Sequence, residues 1–234
     1  MLVAGLVPAA GRGERLGPGA PKALREVGGQ PLLVHAVRAL SSARTVSLVV
    51  VAAPEEEVGF VRSLLAGVSG DAEVVVVAGG HTRQASVAAA LEVLPADVDV
   101  VLVHDAARPL APPELVDAVA SAVDAGADAV VPGMPITDTV KQVDPAGRVE
   151  RTVDRASLRA VQTPQGFRPD VLRRAHAAAI DGDVVTDDAG LVERIGGTVL
   201  VIPGSEEAFK VTRPLDLVLA EAVLARRRSA GNPR

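Results

Sequence analysis

The sequence predicts an α/β fold, a mainly parallel sheet flanked by helices with a β-hairpin arm projecting from it. Three observations carry this. Short Val-, Leu- and Ala-rich runs alternate with helix-length segments as far as Val131. The strand runs are mostly apolar rather than apolar at every second position, as strands covered on both faces are. Between Pro132 and Pro164 the rhythm stops, and a polar, charged stretch with a turn at its centre takes over.

Leu2–Val7 reads as the first buried strand, Pro31–Leu40 as a helix and Val46–Ala52 as the next strand. Pro54–Leu65 is a helix that opens with Pro and three Glu, which suit the fixed φ of a first turn and the positive end of the helix dipole. Glu73–Val77 is a strand, Thr82–Leu94 a helix, Val98–Val103 a strand, Pro112–Asp124 a helix and Ala129–Val131 a short strand. Asp138–Val143 and Arg148–Asp154 then flank the turn Asp144-Pro-Ala-Gly147, giving an arm over about residues 133–163 that reads equally as a lid or subunit contact and as a plain surface hairpin. Helices are expected at Pro169–Ile180 and Asp187–Ile195, a strand at Thr198–Ile202, and a last helix from Pro214 to about Arg226 with a frayed tail. No repeat or linker divides the chain, so residues 1–234 are read as one domain.

Composition narrows the chemistry. There are no cysteines, which excludes disulfides, thiolate metal sites and a cysteine nucleophile. The first apolar run lacks a preceding basic region and is too short for a signal peptide or a membrane span, so a cytoplasmic location is expected. The net charge of −5 and an aromatic content of 1% argue against polymeric nucleic acid as a partner, because phosphate backbones want basic surfaces and single strands want stacking platforms. A base recognised here is recognised by hydrogen bonds.

Three segments carry chemistry. Val7-Pro-Ala-Ala-Gly-Arg-Gly-Glu-Arg-Leu-Gly-Pro-Gly-Ala-Pro-Lys22 follows the first strand, where open parallel sheets bind ligands. Its small residues admit phosphates close to the backbone, and Arg15 and Lys22 add positive charge. Neither the dinucleotide fingerprint nor the Gly-Lys-Ser/Thr phosphate loop fits. Val103-His-Asp-Ala-Ala-Arg-Pro109 places Asp105 at a strand end, where a carboxylate holds Mg²⁺ or a ribose hydroxyl, and Arg108 where it meets phosphate or pairs with Asp105. Gly79-Gly80-His-Thr-Arg-Gln-Ala-Ser86 allows close backbone approach and offers a hydroxyl, although a plain helix-entry turn reads the same way. His35, His81, His104 and His176 show no metal-ligand spacing, and no Gly-x-Ser-x-Gly elbow exists.

These segments, with Asp138-Thr-Val-Lys141, Thr163-Pro-Gln165, Thr186-Asp-Asp188 and Lys210-Val-Thr-Arg-Pro214, occur in the order seen in 2-C-methyl-D-erythritol 4-phosphate cytidylyltransferases, and the chain resembles that family from about Val7 to Asp216. The resemblance implies a Rossmann-like nucleotidyltransferase fold, a homodimer through the arm, Mg²⁺ or another divalent cation as cofactor, and transfer of CMP from CTP to 2-C-methyl-D-erythritol 4-phosphate with release of pyrophosphate, a step of isoprenoid precursor biosynthesis. It implies that Arg15 and Lys22 stabilise the transition state, and that Pro8, Ala9, Ala10, Gly11, Gly80, Ser86, Asp105 and Ala106 hold the nucleotide. Asp105 would also face the metal. Arg108, Thr139, Arg155, Thr163, Thr186, Lys210 and Thr212 would position the acceptor, with Arg155 supplied from the partner's arm. Arg12 and His81 stand where the family fixes no residue and receive no role. Two rival readings stand beside it: a ribitol 5-phosphate cytidylyltransferase, which shares most of these motifs, and a non-catalytic nucleotide-binding regulator on the same fold.

Overall fold

The computed structural model describes residues 1–11, 21–68, 70–179 and 186–230. The strands are β1 (Val3–Pro8), β2 (Glu26–Val27), β3 (Gln30–Pro31), β4 (Val46–Ala53), β5 (Glu73–Ala78), β6 (Val100–Val103), β7 (Ala129–Pro135), β8 (Val140–Val143), β9 (Val149–Val153), β10 (Arg159–Val161), β11 (Gln165–Phe167) and β12 (Val199–Pro203). The helices are α1 (Leu32–Ser41), α2 (Val58–Leu65), α3 (Arg83–Glu92), α4 (Pro113–Asp124), α5 (Pro169–Ala177), α6 (Asp188–Arg194) and α7 (Pro214–Ala230).

β1, β4, β5 and β6 run parallel, with β1 between β4 and β6. The chain steps outward from β1 to β4 to β5 and then returns to β6 on the other side of β1. That reversal is a topological switch point, where the loops after β1 and β6 diverge and leave a crevice at the carboxyl ends of the strands. β11 inserts antiparallel between β6 and β7, β10 pairs antiparallel with the end of β7, and β12 runs parallel to β7. The sheet is therefore mixed on this side.

Alternating strand residues build two apolar layers, as the two-residue period of a strand requires. Val3, Val7, Val49, Val51, Val100 and Leu102 pack under α1, α2 and α4 through residues such as Leu33, Val37, Val61, Val116 and Val119. Ala4, Leu6, Val50, Val101, Val103 and Phe167 pack under α3, α5 and α6 through Val87, Leu91, Leu172 and Leu191. A smaller cluster of Val27, Leu32, Leu110, Val211 and Ala220 seats α7.

Several expectations need correction. Residues Glu55–Glu57 form a 3₁₀ turn, and α2 begins only at Val58. The β2–β3 hairpin, turned by Gly28 and Gly29 with φ of 61° and 74°, was not foreseen. Its strands are two residues each, too short for any period to show. β10 and β11 were also missed, being three residues each on either side of Pro164. α7 continues through Arg227 and Arg228 rather than fraying, because Glu207 pairs with Arg226 and Arg227. The expected helix end at Ile180 lies outside the described residues. The arm is present as the antiparallel pair β8–β9, with Asp144 accepting from the backbone N–H of Ala146 and Arg148 across the turn. Its Val143 and Val149 are 52% and 59% exposed, so the described residues leave these two side chains without apolar cover.

Candidate active site

A cleft of about 230 Å³ opens at the switch point, lined by Pro8, Ala9, Ala10, Gly11, Lys22, Ala23, Arg83, Ser86, Asp105, Ala106, Ala107 and Lys210. Nine of the sequence-derived candidates are thus brought together. The loop after β1 is held to the sheet by the Ala9 N–H donating to Ala52 O at 2.8 Å. Gly79 allows a close approach: a Cβ there would lie 2.8 Å from the Cβ of Ala10 and 3.0 Å from the Oγ of Ser86. Gly80 stands one hydrogen bond behind the cleft, its N–H donating to Ser86 Oγ at 3.2 Å. Ser86 is 1% exposed, and its hydroxyl is also in bonding range of Thr82 O at 2.9 Å. Thr82 caps α3 by accepting from the Ala85 N–H. Lys22 sits in a 3₁₀ turn started by Pro21. Arg15 and Arg12 lie outside the described residues.

Asp105 is the electrostatic centre. Arg83 Nε donates to one of its oxygens at 3.1 Å and Lys210 Nζ to the other at 2.7 Å. Burial alone would raise the Asp105 pKa, but the two cations outweigh it and hold the carboxyl well below the usual carboxylate range. Arg83 in turn donates from Nη1 to Asp188 at 2.6 Å. Burial disfavours its charge, yet Asp188 and Asp105 together push its pKa up.

The loop that presents Asp105 is fixed from behind. The Asp105 N–H donates to Thr163 Oγ1 at 3.0 Å, and Thr163 Oγ1 lies 3.1 Å from His104 Nδ1. His104 Nε2 faces the carbonyl of Arg108 at 3.1 Å, which assigns the proton to Nε2 and leaves Nδ1 to accept from Thr163. Complete burial of His104 pushes its pKa down to about 4, so the ring is neutral. Lys210 arrives on a segment docked to the same loop, with the Val211 N–H donating to Ala107 O at 2.8 Å.

Other candidates stand elsewhere. Arg108 is buried and donates to the carbonyls of Ala208 and Val161, bracing the loop rather than lining the cleft. Thr163 is committed to the network just described. The Thr212 hydroxyl donates to Asp216, whose carboxylate also accepts the N–H of Thr212 and Arg213 and so caps α7. Thr186 is exposed just before α6. Thr139 and Arg155 are exposed at the base of the arm, where Arg155 donates to Thr137 O; neither lines the cleft of its own chain. Arg83, Ala23 and Ala107 were missed. For Arg83 a signal existed: a cation in the first turn of a helix opposes the helix dipole, and a residue that breaks a local rule invites a partner or a function.

Among the described residues no group of three His, Cys, Asp or Glu side chains is placed to hold a metal ion.

Comparison with known proteins agrees with this geometry. The sequence profile of the 2-C-methyl-D-erythritol 4-phosphate cytidylyltransferase family matches residues 3–226. A 2-C-methyl-D-erythritol 4-phosphate cytidylyltransferase of Streptomyces avermitilis is 60% identical, over 96% of this chain and 92% of its own length. One of Frankia casuarinae is 61% identical, over 96% and 82%. The crystal structure of the enzyme of that name from Thermus thermophilus superposes with a TM-score of 0.76 at 39% identity, covering 96% of this chain and all (100%) of the other. A 4-diphosphocytidyl-2C-methyl-D-erythritol synthase from Anaerococcus prevotii gives a TM-score of 0.81 at 27% identity, covering 96% and 98%. With a family profile spanning nearly all of the chain, close relatives of one name, and a cleft assembled from the same motifs, the chain belongs to the 2-C-methyl-D-erythritol 4-phosphate cytidylyltransferase family.

Proposed function

We propose that this protein transfers CMP from CTP to 2-C-methyl-D-erythritol 4-phosphate with release of pyrophosphate, a step in isoprenoid precursor synthesis. The observation that carries the mechanism is the make-up of the cleft: three cations, Lys22, Arg83 and Lys210, and among the described lining residues no His and no hydroxyl except the hydrogen-bonded Ser86. Such a site suits direct attack rather than a covalent nucleotidyl-enzyme. The acceptor phosphate has its second pKa near ~6 and is largely dianionic at neutral pH. One of its oxygens attacks the α-phosphorus, a new P–O bond forms, and the bond to the β-phosphate breaks with its electron pair leaving on pyrophosphate. No general base is needed. The work is to bring polyanions together and stabilise the departing charge, which falls to positioning and electrostatics.

Lys22 faces the triphosphate and Lys210 the acceptor; the family resemblance gives Arg15, outside the described residues, a transition-state role beside Lys22. The backbone of Pro8–Gly11 and the Gly79–Ser86 turn hold the nucleoside and read the cytosine amine, which discriminates well against a base that cannot donate there. Asp105, with two oxygens already serving cations and no second carboxylate among the described lining residues, fits a Mg²⁺ that arrives on the triphosphate rather than a resident ion. Held there, such an ion would supply neutralisation of phosphate charge. Thr139 and Arg155 reach a cleft only if the arm crosses to a second copy, and the uncovered Val143 and Val149 support a homodimer through the arm. Thr186 completes the acceptor side, while Arg108, Thr163 and Thr212 brace the loops. No helix among the described residues is long and apolar enough to cross a membrane. On this reading the reaction, between soluble substrates, runs in the cytoplasm.

The test is pyrophosphate release by purified protein with CTP and Mg²⁺, comparing 2-C-methyl-D-erythritol 4-phosphate with ribitol 5-phosphate. Release with the first alone supports the assignment. Release with the second alone keeps the reaction and overturns the acceptor, and silence with both returns the chain to nucleotide binding.

A further inference from the structure

His176 and Asp188 belong to none of the groups that meet a ligand in the reading above, yet both are buried on the flank of the cleft. The Asp188 side chain is 1% exposed and that of His176 6%, on α6 and α5 respectively. His176 Nε2 lies 2.9 Å from one Asp188 oxygen, and the other accepts from Arg83 Nη1 at 2.6 Å. Arg83 Nε continues to Asp105 at 3.1 Å, and Asp105 to Lys210 Nζ at 2.7 Å. A single chain of hydrogen-bonded groups thus runs from the core under α5 to the mouth of the cleft. The start of α6 is pinned independently: Gln165 accepts the Ala189 N–H and donates to Asp187, which caps the helix.

We propose that His176 and Asp188 form a positioning relay that acts through Arg83 to keep the Asp105–Lys210 pair in its working geometry. The inference rests on the cytidylyl-transfer reading and adds residues to it. A guanidinium is a planar fork that closes on a carboxylate with two parallel bonds when nothing prevents it. Here Arg83 gives Nε to Asp105 and Nη1 to Asp188, so it occupies one oxygen of Asp105 and leaves the other for Lys210. Without Asp188 the fork is free to close on both oxygens of Asp105 and displace Lys210. His176 matters because it occupies the remaining Asp188 oxygen and turns the other towards Arg83. A buried ionic network of this kind is weak as a source of stability, since replacing it with apolar groups is often neutral or favourable. Its position beside the cleft fits geometry control.

The experiment compares wild type with His176→Leu, His176→Gln, Asp188→Asn and the His176→Leu/Asp188→Asn double variant, measuring kcat, KM for CTP, CTP affinity by calorimetry, and melting. The relay predicts that Asp188→Asn lowers kcat by roughly 10- to 100-fold and His176→Leu by about 10-fold, with CTP affinity within about threefold, because ground-state nucleotide binding rests on the β1 and β5 loops. His176→Gln, which keeps an N–H for Asp188, should recover most of the loss. The double variant should be no slower than Asp188→Asn alone, since His176 acts only through Asp188. Folded single variants with kcat within about twofold of wild type, or multiplicative losses in the double variant, overturn the relay. If Asp188→Asn does not fold, the comparison of His176→Leu with His176→Gln decides. A second readout needs no turnover: the ¹H–¹⁵N signal of the His176 ring should shift in Asp105→Asn, and an unmoved signal overturns the relay. A wild type that turns over no triphosphate while its ring signal responds would defeat the cytidylyl reading and leave the relay standing.

Discussion

Asp105→Asn gives the sharpest test of the electrostatic centre, because one atom change removes a charge with almost no change in shape. The carboxylate accepts from Arg83 at 3.1 Å and from Lys210 at 2.7 Å, and its side chain is 12% exposed. Each charge-assisted bond contributes about 1.5–3 kcal/mol net. Asparagine keeps one acceptor and turns a donor towards the second cation, so one bond is lost and a repulsion gained. Against this stands relief from burying a carboxylate, and Arg83 retains Asp188. The balance is a destabilisation of about 2 kcal/mol, which for a chain of this size corresponds to a fall in Tm of about 4–8 °C at ~2–4 °C per kcal/mol. The catalytic loss is larger in proportion: with Lys210 unanchored and the nucleotide-facing carboxylate gone, kcat/KM should drop about 100-fold, or about 2.7 kcal/mol of transition-state stabilisation. Differential scanning fluorimetry and steady-state pyrophosphate release read the two effects separately. A variant with Tm within about 1 °C and kcat/KM within about twofold of wild type would refute the account of Asp105.

Three further outcomes are expected. His104 is held neutral by burial at a pKa of about 4, below the ordinary ~6.5 of the unfolded chain, so stability is full above pH ~6.5 and is lost as pH falls towards ~4, by up to about 3 kcal/mol; burial lowers His35 in the same direction, and the lowered carboxyls of Asp105 and Asp188 act only at still lower pH. Urea unfolding across that range checks the slope, and a His104 ring that titrates near pH ~6.5 by NMR contradicts it. Gly79→Ala forces the new Cβ against Ala10 and Ser86 at 2.8 and 3.0 Å, displacing the nucleotide loop. It should weaken CTP binding by roughly tenfold or more with a modest loss of Tm, and an unchanged CTP affinity would show that the loop is not part of the site. If the arm completes a neighbouring cleft, Lys22→Ala and Arg155→Gln proteins, each nearly inactive, should recover about a quarter of wild-type activity when unfolded and refolded together, from mixed dimers with one intact site. No recovery would place Arg155 outside the partner's cleft.

Much of the fold was legible because the buried strands carry their own signal. Leu48–Ala53 and Val100–Val103 are uninterrupted apolar runs, and Pro at the first turn of α4 and α5 marks their starts. β10 and β11 were not legible. Arg-Ala-Val and Gln-Gly-Phe have no period to display, and Gly166 is placed by tertiary packing, since a Cβ there would meet Val119 at 2.6 Å. The same split divides the site. Pro8–Gly11, Lys22, Ser86, Asp105, Ala106 and Lys210 meet in one cleft because they flank the switch point, which strand order alone predicts. Thr163, Thr212 and Arg108 read as ligand contacts because a hydroxyl or guanidinium in a motif looks the same whether it faces a substrate or the chain's own backbone. Only the fold shows that they face Asp105 N–H, Asp216 and the carbonyls of Ala208 and Val161. Arg83 on α3 meets Asp188, 105 residues later on α6, and Asp188 meets His176 on α5; only the fold brings these three together.

The central claim is that the cleft moves a cytidylyl group directly from CTP to the acceptor phosphate by positioning and charge. The most direct measurement is the stereochemical course at the α-phosphorus, using a single diastereomer of CTP carrying sulfur on that phosphate, with 2-C-methyl-D-erythritol 4-phosphate as acceptor. One in-line displacement predicts inversion in the product. Retention would require two displacements through a covalent nucleotidyl-enzyme and would contradict the account.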